Sequence, residues 1–334
     1  MKLLVRAPNW IGDAVLSLPV LDCLRRNLPD GEIWVAATPW VMDIFSPLPN
    51  LDGTVSLPQS NGLRNLRLSA KEIEGGRFDA GILLTNSFAS ALLFCLAKIP
   101  ERWGYSKDLR QPLLTKGVTP LFQEKPSHQL QHYLTLASKL GMEIPPVRLN
   151  YPLGPPEKEE GRNLLLSFKV DIKKPVVLLC PGASYGPAKR WPAASFSELA
   201  TSLQDKIGAE ILVAGSRQDA ELGEAIAAGM GTKPALLTGK TTLLQLAEIA
   251  AHAALVVSND SGLMHLANAL HRPVIAIFGP TDPRRTGPYQ EPSLVLKKEV
   301  PCWPCFYRTC PYEHQCMTAI TPEEVLHACL EIIR

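Results

Sequence analysis

Three short stretches carry residue types that could handle a phosphorylated ligand. In Val256–His265 an apolar run enters the small polar turn Ser258-Asn259-Asp260-Ser261-Gly262, followed by Leu263-Met264-His265. Asp260 or Ser261 is available there as the N-cap of a helix. Such a turn aims backbone N–H groups at one point, which suits a phosphate or diphosphate. In Cys180–Pro192, read CPGASYGPAKRWP, an apolar run ends in a Gly- and Pro-stiffened loop holding Lys189 and Arg190. Adjacent cations could meet a diphosphate with charge-assisted hydrogen bonds. A solvated basic loop is the plain alternative, although stiffness is wasted on a merely solvated charge. Near the start, Lys2–Arg6 leads into Ala7-Pro8-Asn9-Trp10-Ile11-Gly12-Asp13. Gly12 permits a tight turn, and Asp13 then stands at or just inside a helix start. A carboxylate in that place can take a proton from a hydroxyl, or it can simply cap the helix.

These residues need elements to hold them, and the hydrophobic pattern supplies an α/β alternation. Strands are expected at Lys2–Arg6, Glu32–Ala36, Val55–Leu57 and Phe78–Leu84, with helices at Ala14–Asn27, Pro39–Phe45, Leu63–Glu74, Ser87–Lys98 and His128–Leu140. From Ile144 to Pro156, five prolines in thirteen residues forbid helix and favour an extended linker. The alternation then restarts, with strands at Val176–Cys180, Glu210–Ala214, Ala235–Leu237, Leu255–Ser258 and Val274–Phe278. Residues 1–155 and 156–320 therefore read as two domains. A helix in 321–334, opened by a capping box from Thr321 to Glu324, could pack back on the first domain. Two such halves should face each other across a cleft. Ligands in these folds sit beyond the carboxyl ends of the strands, so both halves should offer loops to one site.

At 334 residues the chain is long enough for two cores, and 46% hydrophobic with 20% charged residues describes a globular protein. A net charge of +2 without a long basic stripe argues against nucleic acid as partner. No stretch reaches the roughly 20 apolar residues of a membrane span, and the first apolar run is too short for a signal peptide. A cytoplasmic location follows. Of eight cysteines, Cys302, Cys305, Cys310 and Cys316 cluster, with His314 nearby. Their spacing has pieces of a zinc site but lacks a second C-x2-C pair, so no metal is expected. The reading preferred here is a loop packed by Trp303, Phe306 and Tyr307.

The segments PGASYGPAKRWP, NDSGLMH with the following GPTDP, and APNWIGDAVLSLP resemble glycosyltransferase family 9, the ADP-heptose:lipopolysaccharide heptosyltransferases, closest to their type II members. Thr85-Asn86-Ser87-Phe88-Ala89-Ser90-Ala91 and Ile99–Tyr105 fit as well, so the resemblance spans nearly the whole chain. It implies the GT-B architecture, with two Rossmann-like domains, and an inverting reaction needing no metal or other cofactor. The donor would be ADP-heptose and the acceptor a lipid-linked Kdo-heptose core, met at the cytoplasmic face of the inner membrane by a monomer. The family's general base falls on Asp13 and its diphosphate cation on Lys189. Ser184, Arg190, Asp260, Ser261, Gly262, Leu263 and His265 fall on the donor side. Asn9, Gly12, Asn86 and Ser87 fall on the acceptor side, with Ser87 equally able to cap a helix. Gln218 and Asp219 could reach a ribose. Arg64, Arg67, Lys71, Arg102, Lys107 and Arg110 place positive charge in the half that would receive an anionic acceptor. Another heptosyltransferase type, a nucleotide-sugar epimerase or a binding protein of this architecture are the competing readings. An epimerase would convert its nucleotide sugar with no acceptor present.

Overall fold

The computed structural model describes residues 1–58, 62–120 and 127–333. Contacts divide the chain into two compact units, Met1–Leu149 and Asn150–Arg334. The division precedes the boundary expected from composition, because the linker's end is already tied to the second unit. There the Tyr151 N–H donates to the Ala269 carbonyl at 2.9 Å, and Asn150 Oδ1 lies 3.2 Å from His271 Nε2.

The first unit contains β1 (Lys2–Arg6), β2 (Glu32–Ala37), β3 (Gly53–Ser56), β4 (Ala80–Leu83), β5 (Glu101–Tyr105) and β6 (Lys116–Val118). The second contains β7 (Val176–Cys180), β8 (Glu210–Val213), β9 (Ala235–Leu236), β10 (Leu255–Asn259), β11 (Val274–Phe278) and β12 (Ser293–Lys297). The orders are β3-β2-β1-β4-β5-β6 and β12-β11-β10-β7-β8-β9. Every pairing is parallel. Counted within its own unit, each sheet follows the 3-2-1-4-5-6 Rossmann pattern, so the expected α/β class with two Rossmann-like domains holds. The central strands are wholly buried, as two-sided burial of a parallel sheet requires: VVLLC in β7, LVVSN in β10 and VIAIF in β11.

Three strands escaped the sequence pattern. β5 mixes charge with aromatics, β6 is the short segment Lys116-Gly117-Val118, and β12 is only partly buried along its length. The single helix expected over Ala14–Asn27 is two, Ile11–Leu16 and Leu18–Asn27. Pro19 sits in the first turn of the second, where its missing N–H costs nothing. The terminal helix Pro322–Ile333 buries Val325, Ala328 and Cys329 in the second unit's core beside Trp191, Phe196 and Leu203. The apolar stripe of this helix is thus used within the second unit, where packing on the first domain was expected. Arg334, the last residue of that segment, lies outside the described residues.

Candidate functional site

In the doubly wound pattern the strand order reverses between the first strand and the fourth, and loops leaving those two strands frame a crevice. In the second unit these strands are β7 and β10, paired from Leu255↔Val177 to Ser258↔Cys180. The AKRWP loop leaves β7 and the DSG turn leaves β10, so the pairing alone brings together segments about 70 residues apart in sequence. Lys189 Nζ lies 2.5 Å from Asp260 Oδ2, and both side chains are buried. The Thr281 hydroxyl donates to the same oxygen at 2.6 Å, and the Tyr185 ring lies 4.7 Å from the ammonium. Arg190 reaches Asp219 Oδ1 at 3.2 Å. The other oxygen of Asp219 accepts from the Ser216 N–H at 3.0 Å and hydroxyl at 2.7 Å.

Each of the two adjacent cations of the loop therefore faces a carboxylate. What this place offers a diphosphate is directed donors more than net charge. An ammonium has three N–H bonds, so Asp260 leaves Lys189 with donor capacity. The helix Gly262–Ala269 adds its first-turn amides, which the N-cap Ser261 does not cap with its side chain. The Ser261 hydroxyl lies 3.0 Å from the Ser258 hydroxyl instead. Leu263 is partly exposed and Ser184 exposed, whereas His265 is buried within that helix.

Asn259, quoted within its motif but given no role from sequence, is the clamp of this arrangement. Its Oδ1 accepts the Trp191 N–H at 3.1 Å and its Nδ2 donates to the Pro181 carbonyl at 2.7 Å. Trp191, buried, anchors the far side by donating from Nε1 to the Ile320 carbonyl at 2.9 Å. Gly186 is required by close approach: a Cβ there would stand 2.3 Å from the Arg308 carbonyl oxygen.

In the first unit the corresponding strands are β1 and β4, paired from Leu3↔Ala80 to Arg6↔Leu83. Asp13 lies in the first turn of Ile11–Leu16, whose N-cap Trp10 makes no side-chain capping bond. Its carboxylate is hydrogen-bonded by the buried Tyr133 hydroxyl. Asn9 and Asn86 are held from behind by buried guanidiniums. Arg6 donates to Asn9 Oδ1 at 2.7 Å and to the carbonyls of Ala7 and Ala36. Arg110 donates to Asn86 Oδ1 at 3.0 Å, to the Tyr105 carbonyl at 2.7 Å and to the Thr85 carbonyl. Burial lowers both to a pKa of about 10, with the Asp108 charge opposing it only in part at Arg110. Of the six cations expected to draw an anionic acceptor, Arg64, Arg67, Lys71 and Lys107 are exposed and Arg102 half-buried. Arg110 alone of the six is buried. Ser87 is a helix cap: its hydroxyl accepts the Ser90 N–H at 3.3 Å.

The clustered cysteines all line one cavity of about 530 Å³ together with Tyr307, Tyr312 and His314. All four are free thiols, and among the described residues no group of three or more His, Cys, Asp or Glu is arranged to hold a metal ion. Burial, with the neighbouring thiols adding to it, pushes Cys316 up to about 11. Of the three aromatics expected to pack this loop, Trp303 is half-buried, whereas Phe306 and Tyr307 are exposed. Backbone bonds dock the loop. The Phe306 N–H donates to Pro280 at 3.0 Å, the Ala188 N–H donates to Arg308 at 3.0 Å, and the Tyr185 hydroxyl donates to Phe306 at 2.6 Å.

Known proteins resemble this chain in sequence and fold. Residues 66–316 match glycosyltransferase family 9 (heptosyltransferase). Lipopolysaccharide heptosyltransferase 2 of Escherichia coli (strain K12) is 33% identical over 308 residues, 89% of this chain and 88% of that protein. The solved E. coli ADP-heptose lps heptosyltransferase II superposes with a TM-score of 0.86 at 30% identity, covering 100% of this chain and 98% of the other. The E. coli heptosyltransferase WaaC, solved with ADP-2-deoxy-2-fluoro heptose, shares the fold at a TM-score of 0.74 and 20% identity, covering 99% of both. Among the described residues no helix is long and apolar enough to cross a membrane.

Proposed function

Because the chain belongs to glycosyltransferase family 9 and is therefore a heptosyltransferase, we propose that it moves a heptose from ADP-L-glycero-D-manno-heptose to the heptosyl-Kdo2-lipid A inner core of lipopolysaccharide. In this reading the acceptor hydroxyl gives its proton to Asp13 as its oxygen bonds to the anomeric carbon. The bond from that carbon to the diphosphate oxygen breaks, the centre inverts, and ADP leaves with the electron pair. Negative charge grows on the departing diphosphate. Lys189 and the first-turn amides of Gly262–Ala269 bond it more strongly in the transition state than in the intact donor. Asp260 and Thr281 keep the Lys189 ammonium in place for that task, and Arg190 with Asp219 borders the donor.

The acceptor is assigned to the first unit. Buried Arg6 and Arg110 aim Asn9 and Asn86 there, and their hydrogen bonds go to neutral oxygens, which favours an anionic saccharide. The enzyme meets this lipid-linked acceptor at the cytoplasmic face of the inner membrane, without metal or other cofactor, and works as a monomer. The observation that carries the reading is the buried Lys189–Asp260 pair at the strand-order reversal of the second sheet.

The test is ADP release from ADP-heptose with a heptose-bearing lipid A acceptor, comparing the wild type with Asp13→Ala. The variant should bind donor normally and turn over about 10²–10⁴-fold more slowly. Normal turnover by Asp13→Ala would overturn the assignment of the base. Conversion of the nucleotide sugar without acceptor would make the protein an epimerase instead.

A further inference from the structure

The Asp13 carboxylate is not alone in its turn. The hydroxyl that bonds it belongs to Tyr133, 120 residues later in the chain, and Gln129 hydrogen-bonds the same phenol. We propose that Tyr133 is the positioning residue of Asp13: its hydroxyl, itself held by Gln129, fixes the carboxylate in the orientation that receives the acceptor's proton. This rests on Asp13 being the base.

The geometry favours a fixed donor over a passing contact. Gln129 and Tyr133 are four residues apart on the helix Gln129–Lys139, so both face the same side. Tyr133 is 3% exposed, between Leu130, Leu134 and Ala137 on the buried face. The helix is pinned where it matters, since the Tyr105 hydroxyl donates to the His132 carbonyl at 2.7 Å. The Tyr105 and His132 rings also stack with centroids 4.2 Å apart. Burial, and then the Asp13 charge, hold the Tyr133 phenol well above its ordinary range, so it stays protonated and able to donate at any working pH.

The chemistry needs this arrangement. A carboxylate on a short side chain in a first helical turn can rotate, and a base that rotates is in line with the attacking hydroxyl only part of the time. A phenol bonded to the carboxylate restricts its rotation. The donated bond also favours the charged, proton-accepting form. Gln129 directs the phenol by donating to its oxygen.

The test compares Tyr133→Phe, Gln129→Met and Asp13→Asn with the wild type across pH. Tyr133→Phe keeps the ring and removes only the hydroxyl. Its kcat should fall roughly tenfold, the size of one charge-assisted hydrogen bond, with KM for ADP-heptose unchanged. The acid limb of its kcat/KM profile should move to higher pH, because the carboxylate has lost a bond to its charged form. A purely structural role would leave that limb in place. Gln129→Met should move it in the same direction by less, and it supplies the same readout if Tyr133→Phe folds poorly. The proposal is overturned if the limb stays put and kcat is unchanged in the variants that fold. Near-normal activity in Asp13→Asn defeats the choice of base itself; an inactive Asp13→Asn beside a wild-type Tyr133→Phe defeats only the role given to Tyr133.

Discussion

The two sheets share one topology and end in very different electrostatics. At the carboxyl edge of the second, Lys189 stands against Asp260 and Arg190 against Asp219. At that of the first, Arg6 and Arg110 are buried and bonded to carbonyls and asparagine side chains. The same fold thus holds its cations in two ways. A buried ion pair is balanced before any ligand arrives, and its members are strongly coupled. A guanidinium held by neutral dipoles keeps its charge, and the pKa lowered to about 10 records the cost of desolvating it. The edge of the second sheet offers shaped hydrogen bonding from paired charges, while that of the first stores positive potential.

The sharpest way to break this comparison is to remove one member of the balanced pair. Lys189→Met leaves the Asp260 carboxylate buried with the Thr281 hydroxyl and should lower stability in urea unfolding by about 3–5 kcal/mol. The double variant Lys189→Met/Asp260→Leu removes both charges and should recover most of that loss. If the two single losses simply add in the double variant, the pair is not coupled and the contrast between the edges fails.

Arg110→Met tests the other edge and should cost less, about 1–3 kcal/mol. It strands the Tyr105 and Thr85 carbonyls without a donor, yet it also removes a desolvated charge that the Asp108 carboxylate offsets only in part. Its stronger effect should be on the acceptor: KM for the acceptor rises as Asn86 loses its support, while ADP-heptose affinity is unchanged. A stability loss as large as that of Lys189→Met would mean that the neutral oxygens hold Arg110 as tightly as a carboxylate would.

The difference between the edges also explains what could be read from the amino-acid order. Buried parallel strands are continuous apolar runs, so β1, β7, β10 and β11 and the turns after them are plain in the sequence, and Asp13, Lys189 and Asp260 lie in those turns. Glu101-Arg102-Trp103 in β5 and the partly buried β12 lack that run, because a strand nearer a sheet edge buries less. Long-range partners were not legible at all. Nothing near Lys189 announces Asp260, 71 positions on, and nothing near Asp13 announces Tyr133. Arg110 looked like one more surface cation, since only the folded neighbourhood of Gly104 and the Thr85 carbonyl shows that it is enclosed.

The smallest expected effect separates the edges by acid. Asp282, buried on the turn after β11, accepts hydrogen bonds from Arg284 Nε at 2.9 and 3.0 Å and from Nη2 at 2.7 Å. Those bonds hold its carboxyl below the usual carboxylate range, with the Arg284 backbone N–H and charge adding to them. A folded-state value below the unfolded one means that the unfolded chain binds the proton first. The stability from this group is therefore fully present above about pH 4, and it is lost as pH falls through the lower folded value. Asp282→Asn can still cap the short helix Pro283–Thr286 but carries no charge, so it should cost about 1 kcal/mol at neutral pH and flatten the acid decline of the melting temperature. Arg110→Met, which removes no carboxylate, should leave the slope of that decline as it is in the wild type. Equal flattening by both variants would show that acid sensitivity is not concentrated where carboxylates balance the cations.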